Sequence, residues 1–147
     1  MYYQVNTKRI EEQLAYLARC LSICEQMQQQ AQPISEVEEF ALARALQIAV
    51  ECMIDVGSLM IDGFLMRDPG GYRDIVDILE DEQVISSDLA SIVKEWVQLR
   101  ERLIRHYTDV KQSELMLAVR HVSKVRLFIH SVQNYLEREL GSWSQKT

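Results

Sequence analysis

Residues that interrupt helices are scarce in this sequence, since its 147 residues include only 5 glycines and 2 prolines. Scarce breakers permit long helices and argue against an all-β fold, which needs many tight turns. No segment shows the strict alternation of apolar and polar residues that a half-buried strand requires. The sequence therefore predicts an all-α protein, and its length favours one domain over residues 1–147.

Long uninterrupted apolar runs are also missing. The most apolar segment, Phe40–Met66, is broken by Glu51, Asp55 and Asp62, so we do not expect it to span a membrane. The opening segment MYYQVNTKRIEEQ lacks the apolar core of a secretory signal. The 3 cysteines are odd in number and fall within helical patterns, which is typical of buried, reduced thiols. These features predict a cytoplasmic protein.

An excess of positive charge is absent, because 16 basic residues face 22 acidic ones and the formal net charge is -6. The chain as a whole therefore lacks the basic character of a DNA-binding domain, although a local basic patch can still contact nucleic acid. The sequence also lacks a phosphate-binding glycine loop and a recognisable Ser-His-Asp arrangement.

Three carboxylates on the second predicted helix, Glu51, Asp55 and Asp62, lie on one helix face. In a helical bundle such carboxylates can bind two metals, but the known solution also requires Glu-x-x-His pairs on other helices. None of the 3 histidines has a glutamate three residues earlier. We therefore predict no metal site and no other cofactor. We expect these acids to neutralise buried arginines, with Asp55 as the first partner of Arg100.

Apolar residues recur every three or four positions in four long segments, about 6–30, 35–64, 87–107 and 113–140. Asn6 is suited to cap the first helix, and Ser35 with Glu38 matches a capping box at the start of the second. The break RDPGG precedes a short helix at about 72–80. The pattern predicts an up-and-down four-helix bundle with one extra short helix.

The most informative segment is KEWVQLRERLIRHYTDV, residues 94–110. One helix face here carries six residues at spacings of three and four: Leu89, Val93, Trp96, Arg100, Leu103 and Tyr107. Five of them are apolar or aromatic, and Arg100 is the exception. A guanidinium in an apolar stripe needs an acid partner or a functional reason, because an unpaired buried charge is costly.

Arg100 belongs to a cluster with Arg102, Arg105, His106 and Tyr107. The cluster has two interpretations. It can be a solvated basic helix end that favours the helix dipole. It can instead handle phosphodiesters, with arginine stabilising the transition state, histidine serving as acid or base, and the 2′-hydroxyl of RNA as nucleophile. Such a ribonuclease needs no metal.

The segment ECMIDVGSLMIDGFLMRDPGGYRDIVDILEDEQVISSDLASIVKEWVQLRERLIRHYTDV resembles the HepT-like proteins of the HEPN superfamily, and more narrowly their YutE-type hypothetical cytosolic members. The resemblance covers roughly residues 5–141. The family motif is Arg, four residues, His, one residue, Tyr. Arg100 and Tyr107 match it, while Arg105 occupies the histidine position and the histidine follows at His106. The looser superfamily spacing, Arg then four to six residues then His, is met by Arg100 and His106.

The resemblance implies an all-α bundle that forms a homodimer. Active members of the family are metal-independent ribonuclease toxins, whose partner is a nucleotidyltransferase antitoxin that modifies the motif tyrosine. On this basis Arg100, His106 and Tyr107 are the expected catalytic residues, supported by Asp55, Arg102 and Arg105. A helix rotates a side chain by about 100 degrees per residue, so a continuous helix would turn His106 away from the family position.

A non-catalytic function is the alternative. In that interpretation the chain is a dimeric helical interaction protein, and the Arg100 cluster is a structural ion network or part of a dimer interface. A third option is a protein on which a nucleotidyltransferase partner docks without any cleavage by this chain.

Overall fold

The computed structural model describes residues 3–141, which form six α-helices and one short 3-10 turn. The helices are α1 (Thr7–Gln28), α2 (Glu36–Gly63), α3 (Tyr72–Asp81), α4 (Ser87–Arg105), α5 (Gln112–Val119) and α6 (Val122–Leu140). The 3-10 turn, Tyr107–Asp109, lies between α4 and α5. This part of the chain contains no strand, so the predicted all-α fold is confirmed.

Local capping explains where the long helices begin. The Asn6 side chain accepts a hydrogen bond from the backbone N–H of Arg9 at the start of α1. Ser35 and Glu38 form the predicted capping box, in which each side chain accepts from the other residue's backbone N–H. Ser86 caps α4 by accepting from the N–H of Leu89. Each cap satisfies a backbone donor that has no partner within the helix.

The predicted fourth long helix, residues 113–140, is divided in the structure at Arg120 and His121. The backbone bonds His121 N to Ala118 O, at 3.1 Å, and Lys124 N to His121 O, at 3.0 Å, tighten the chain to three-residue turns here. The sequence pattern gives the reason, because successive buried residues across the break are three apart: Val119, Val122, Val125 and Phe128. In a regular helix of 3.6 residues per turn, residues spaced three apart do not stay on one face, because each successive one is rotated further around the helix axis. The tightened turn keeps them facing the core.

Helix α4 also ends earlier than predicted, at Arg105 instead of residue 107. His106 has a non-helical backbone, with φ -134° and ψ 41°, and the chain then enters the 3-10 turn. Tyr107 is therefore not on the buried stripe of α4, and its side chain is 72% exposed. The predicted six-residue face is wrong at this last position, because the helix that would align it has already ended.

Helices α1, α2, α4 and α6 enclose the core as a bundle, with α1 contacting α2 and α6, and α4 contacting the same two helices. The short α3 lies against α2 and α4. Gly57 of α2 permits this approach, since a Cβ there would lie 2.5 Å from Cγ2 of Ile75. The buried apolar residues form one cluster to which all six helices contribute. Among the described residues, no helix is long and apolar enough to cross a membrane.

Candidate functional site

Arg100 is held in a closed network with Glu51 of α2 and Tyr72 at the start of α3. Its Nε donates to Glu51 Oε1 at 2.6 Å, and its Nη2 donates to the Tyr72 hydroxyl at 3.3 Å. That hydroxyl donates to Glu51 Oε2 at 2.9 Å. The guanidinium carbon lies 4.3 Å from the centre of the Tyr72 ring, within cation–π range. The arginine in the apolar stripe is thus paired, oriented and stacked.

The network is partly buried, which distinguishes it from a surface ion pair. Arg100 and Glu51 expose 20% and 28% of their side chains. The pKa of the Tyr72 hydroxyl is raised, first by its own burial and then by its hydrogen bond to the Glu51 carboxylate. Tyr72 therefore remains a neutral donor to Glu51, and the carboxylate accepts from two groups at once.

Asp55 is not the partner of Arg100, which corrects the sequence prediction. The carboxylate one helical turn earlier, Glu51, takes that place. Asp55 is exposed, and its pKa is raised by desolvation and by repulsion from Glu51, with Arg9 of α1 acting in the opposite direction. The sequence could locate the acidic face of α2. Which of its carboxylates lies opposite Arg100 depends on the axial position of α4 relative to α2, which local sequence does not specify.

Arg100 retains hydrogen-bonding capacity beyond this network. A guanidinium has five N–H donors, and two of them are used in the bonds to Glu51 and Tyr72. Nη1 lies 3.6 Å from Glu101. Tyr72 and Glu101 both line an open cleft of about 570 Å³, whose rim also carries Arg73 and Gln98. Arg100 is not among the residues that line this cleft, but it contacts Tyr72 and Glu101, which are.

His106 and Tyr107 lie beyond the end of α4 and are both exposed. The backbone of His106 is fixed, because its N–H donates to Arg102 O and its carbonyl accepts from Asp109 N. Among the described residues, no hydrogen bond or ion pair joins the side chain of His106 or Tyr107 to Arg100. The structure therefore places the three predicted catalytic residues along one end of α4, with no hydrogen bond or ion pair between Arg100 and the side chains of the other two among the described residues.

Arg102 and Arg105 have different surroundings. Arg102 forms an ion pair with Glu114 of α5, and its Nη2 donates to the carbonyl of Asp109 at 3.3 Å. These bonds hold the chain between α4 and α5. Arg105 is 70% exposed and pairs with Glu101 one turn earlier, at 2.6 Å. Arg102 is thus a supporting residue of the loop, whereas Arg105 is a solvated cation at the helix end.

Tyr72 was not found by sequence reasoning, and it completes the Arg100 network. Its position directly after the Gly70–Gly71 break gave one usable signal, because that break sets the start of α3. The contact to Arg100 crosses 28 positions of sequence, so local spacing could not predict it. Within residues 3–141, no group of three or more His, Cys, Asp or Glu side chains is arranged to hold a metal ion.

Comparisons with known proteins show the family and the fold of the chain. A family model described as Ribonuclease HepT-like matches residues 13–132. The Bacillus subtilis (strain 168) protein named "Putative RNase YutE" is 36% identical over 140 residues, which are 95% of each chain. A solved structure of YutE from Bacillus subtilis, described as a cytosolic protein of unknown function, has a TM-score of 0.86 at 35% identity and covers 95% of this chain and 96% of its own.

More distant solved structures share the fold. A toxin–antitoxin structure with AMP-PNP gives a TM-score of 0.79 at 18% identity, covering 86% of this chain and 98% of its own. A tri-AMPylated Shewanella oneidensis HEPN toxin in complex with an MNT antitoxin gives 0.78 at 19% identity, covering 86% and 97%.

Proposed function

Because the chain belongs to the ribonuclease HepT-like family of the HEPN superfamily, we propose that it is an RNA-directed, metal-independent endoribonuclease of the toxin type, or a weakened descendant of one. The observation that carries the proposal is the state of Arg100, which is oriented by Glu51 and Tyr72 while part of its guanidinium remains unbonded. The donors of this guanidinium that are not hydrogen-bonded within the described residues can bind the oxygens of a phosphate.

The proposed reaction uses the 2′-hydroxyl of the substrate as nucleophile. His106 accepts the proton of that hydroxyl, the 2′-oxygen bonds to phosphorus, and the bond from phosphorus to the 5′-oxygen breaks. The leaving 5′-oxygen takes a proton from water, His106 then returns its proton to the solvent, and the products are a 2′,3′-cyclic phosphate and a 5′-hydroxyl. Arg100 stabilises the negative charge that develops on the phosphoryl oxygens. Tyr107 positions the substrate from the exposed side of the same segment.

The position of His106 supports this role despite its offset from the family motif. The 100-degree rotation per residue applies only inside a helix. His106 has left the helix, so its direction is set by its own backbone angles and by the 3-10 turn that follows. The imidazole of His106 is also exposed and has no side-chain partner in the described part of the chain, so a substrate can reach it.

The test is cleavage of a mixed, labelled RNA pool by purified protein in EDTA. His130→Ala is the matched control for His106→Ala, since both histidines are exposed. We expect the parent protein and His130→Ala to cleave, and His106→Ala to lose at least about a hundredfold in rate, as for removal of a general acid or base. Unfolding free energies should agree within about 0.5 kcal/mol for such surface changes. Equal cleavage by the two variants would remove His106 from the mechanism.

The second candidate function is a non-catalytic dimeric interaction protein. It is favoured by the pairing of Arg100 with Glu51, because the same contacts can serve stability alone. In that case the parent protein would show no cleavage above the His106→Ala background, and the fold would be unaffected.

We infer the partners of this chain from the same family membership. We propose a homodimer, because large apolar side chains such as Val37 and Phe40 are 80% and 69% exposed on α2. We also propose that a nucleotidyltransferase-type antitoxin modifies Tyr107, whose exposed hydroxyl is accessible to such an enzyme. Light scattering of the purified protein tests the first proposal. Mass analysis after incubation with a cognate antitoxin and ATP, beside Tyr107→Phe, tests the second. A cytoplasmic location is proposed with them.

A further inference from the structure

Two of the 3 cysteines form a contact between α1 and α2. Cys20 of α1 and Cys52 of α2 are both reduced and buried. The Cys52 thiol donates a hydrogen bond to the sulfur of Cys20. The two residues belong to different helices, so the fold and not the local sequence pairs them. The mechanism proposed above uses neither thiol.

Small side chains bring the two helices close together at this contact. On α2 the buried residues Ala45, Ala49 and Cys52 recur at spacings of four and three, so they lie on one helix face. Ala45 lines the same cavity as Cys20, which indicates that this face is turned toward α1. Packed helices lie about 8–10 Å apart, depending on the side chains at the contact. A close approach favours a disulfide, which requires Cα atoms about 4.4–6.8 Å apart.

Cys20 lines an open cavity of about 330 Å³ between α1 and α2, whereas Cys24 and Cys52 are not among the residues that line it. Cys20 is also the most exposed of the three cysteines, at 6% against 0% for Cys24 and 3% for Cys52. Two exposed arginines, Arg19 and Arg44, line the same cavity. A molecule as small as hydrogen peroxide fits this cavity, so it can reach the wall to which Cys20 belongs.

The surroundings of Cys20 favour its thiolate. The pKa of the Cys20 thiol is lowered, first by the hydrogen bond from Cys52 and then by Arg19 and Arg44, although burial acts in the opposite direction. The pKa of Cys52 is raised, first by the same hydrogen bond and then by burial. Burial also raises the pKa of Cys24, to about 12. The thiolate is the form that reacts with peroxides, so Cys20 is the expected nucleophile of the three.

We infer that Cys20 and Cys52 are a peroxide-sensitive thiol pair, which is oxidised reversibly to a disulfide between α1 and α2 within one chain. The Cys20 sulfur bonds to one oxygen of hydrogen peroxide, the O–O bond breaks and hydroxide leaves. The Cys52 sulfur then attacks the sulfur of the Cys20 sulfenic acid, the S–S bond forms and the S–O bond breaks. The two thiols together lose two electrons and two protons, and one peroxide becomes two molecules of water.

The inference does not depend on the proposed ribonuclease activity, because no step of it involves RNA. The site is nevertheless close to the Arg100 network in the sequence of α2. Cys52 directly follows Glu51, the carboxylate that holds Arg100. The disulfide would therefore form in the same turn of α2 that orients this arginine.

The experiment treats the folded, fully reduced protein with a small excess of hydrogen peroxide, removes the peroxide with catalase, and alkylates the remaining thiols after unfolding in urea. Peptide mapping by mass spectrometry then identifies the linked residues. We expect a link between Cys20 and Cys52, alkylation of Cys24 alone, and recovery of all 3 thiols after treatment with dithiothreitol. Non-reducing electrophoresis should show a single chain.

Oxidation of the protein in urea is the control for the fold. In the unfolded chain Cys20 and Cys24 are the nearest pair in sequence, and the closure of a short loop costs less entropy than that of a long one. We therefore expect the link between Cys20 and Cys24 to predominate in urea. A link from Cys20 to Cys52 that predominates only in the folded protein would show that the contact between α1 and α2 selects the pair.

Three alanine variants separate the roles of the thiols, each checked for folding by circular dichroism. Cys24→Ala is the matched control and should form the disulfide at the parental rate. Cys20→Ala should react with peroxide at least about tenfold more slowly, because a thiol of raised pKa holds little thiolate. Cys52→Ala should stop at the Cys20 sulfenic acid, which dimedone captures. The peptide map of the parent protein needs no variant, so it tests the inference even where a variant does not fold.

Three results would overturn the inference. The first is a folded parent protein in which no link between Cys20 and Cys52 appears. The second is a disulfide that joins two chains on non-reducing electrophoresis. The third is a Cys20→Ala variant that reacts with peroxide as fast as Cys24→Ala. RNA cleavage takes no part in these measurements, so the ribonuclease proposal can fail while the thiol pair is supported, and the reverse.

Discussion

The contribution of the Glu51–Arg100 ion pair to the stability of the fold can be measured directly. We consider a double-mutant cycle with Glu51→Gln and Arg100→Met, which remove the charges while keeping most of each side chain. Unit charges about 4 Å apart attract by about 1 kcal/mol in water and about 4 kcal/mol at the effective dielectric typical of a protein surface. The pair exposes 20% and 28% of its side chains, so part of this attraction is offset by desolvation. We expect each single variant to lose about 2 kcal/mol and the coupling energy to be about 2 kcal/mol.

Glu101 and Arg105 form a comparison pair with the same separation. Both pairs have an Nε to carboxylate distance of 2.6 Å, but Arg105 and Glu101 are 70% and 49% exposed. Exposed pairs one helical turn apart contribute about 0.3–0.5 kcal/mol. A cycle with Arg105→Met and Glu101→Gln should therefore give several times less coupling. Distance is constant between the two cycles, so burial and the Tyr72 hydroxyl account for the difference.

The assay is urea unfolding followed by far-ultraviolet circular dichroism, with all variants at one protomer concentration. Raising the salt concentration should reduce the coupling of the exposed pair more than that of the buried one. Equal coupling energies in the two cycles would refute the reasoning. In that event the Glu51 contact would orient Arg100 without stabilising the fold.

Three further predictions concern single positions. Gln83 has a φ of 60° at the end of α3, so Gln83→Gly should raise the unfolding free energy by about 1 kcal/mol in urea. Gly57→Ala should lower it by about 1–3 kcal/mol, because the new Cβ would lie 2.5 Å from Ile75; an unchanged urea midpoint would contradict the close helix packing. Burial raises the pKa of Cys24 to about 12, so above pH 9 the unfolded chain ionises this thiol while the folded chain keeps it neutral. Stability should therefore fall between pH 9 and 12, less so in Cys24→Ala, as thermal unfolding at each pH can show.

Local features of the sequence predicted the fold well, whereas one helix break and one long-range contact were missed. The caps at Asn6 and Ser35 involve residues three apart, so the sequence alone predicts them. The break at Arg120 was missed because valines three apart satisfy the expected helical spacing within tolerance, although they fit a tighter turn better. The partner of Arg100 lies 49 positions away, and no local rule selects it from the carboxylates on α2.

The displaced histidine, His106, follows directly after the last residue of α4, and Arg102 helps to fix that end of the helix. Its carbonyl accepts from His106 N, while its guanidinium binds Asp109 O and Glu114. The three contacts hold both sides of the 3-10 turn, so the turn that carries Tyr107 is braced from α4 and α5 together. His106 follows the last residue of α4 and has non-helical backbone angles, so the rotation of about 100 degrees per residue within a helix does not apply to it. The spacing of the motif in the sequence therefore does not fix the direction of the displaced histidine, because His106 and Tyr107 both lie outside the helix.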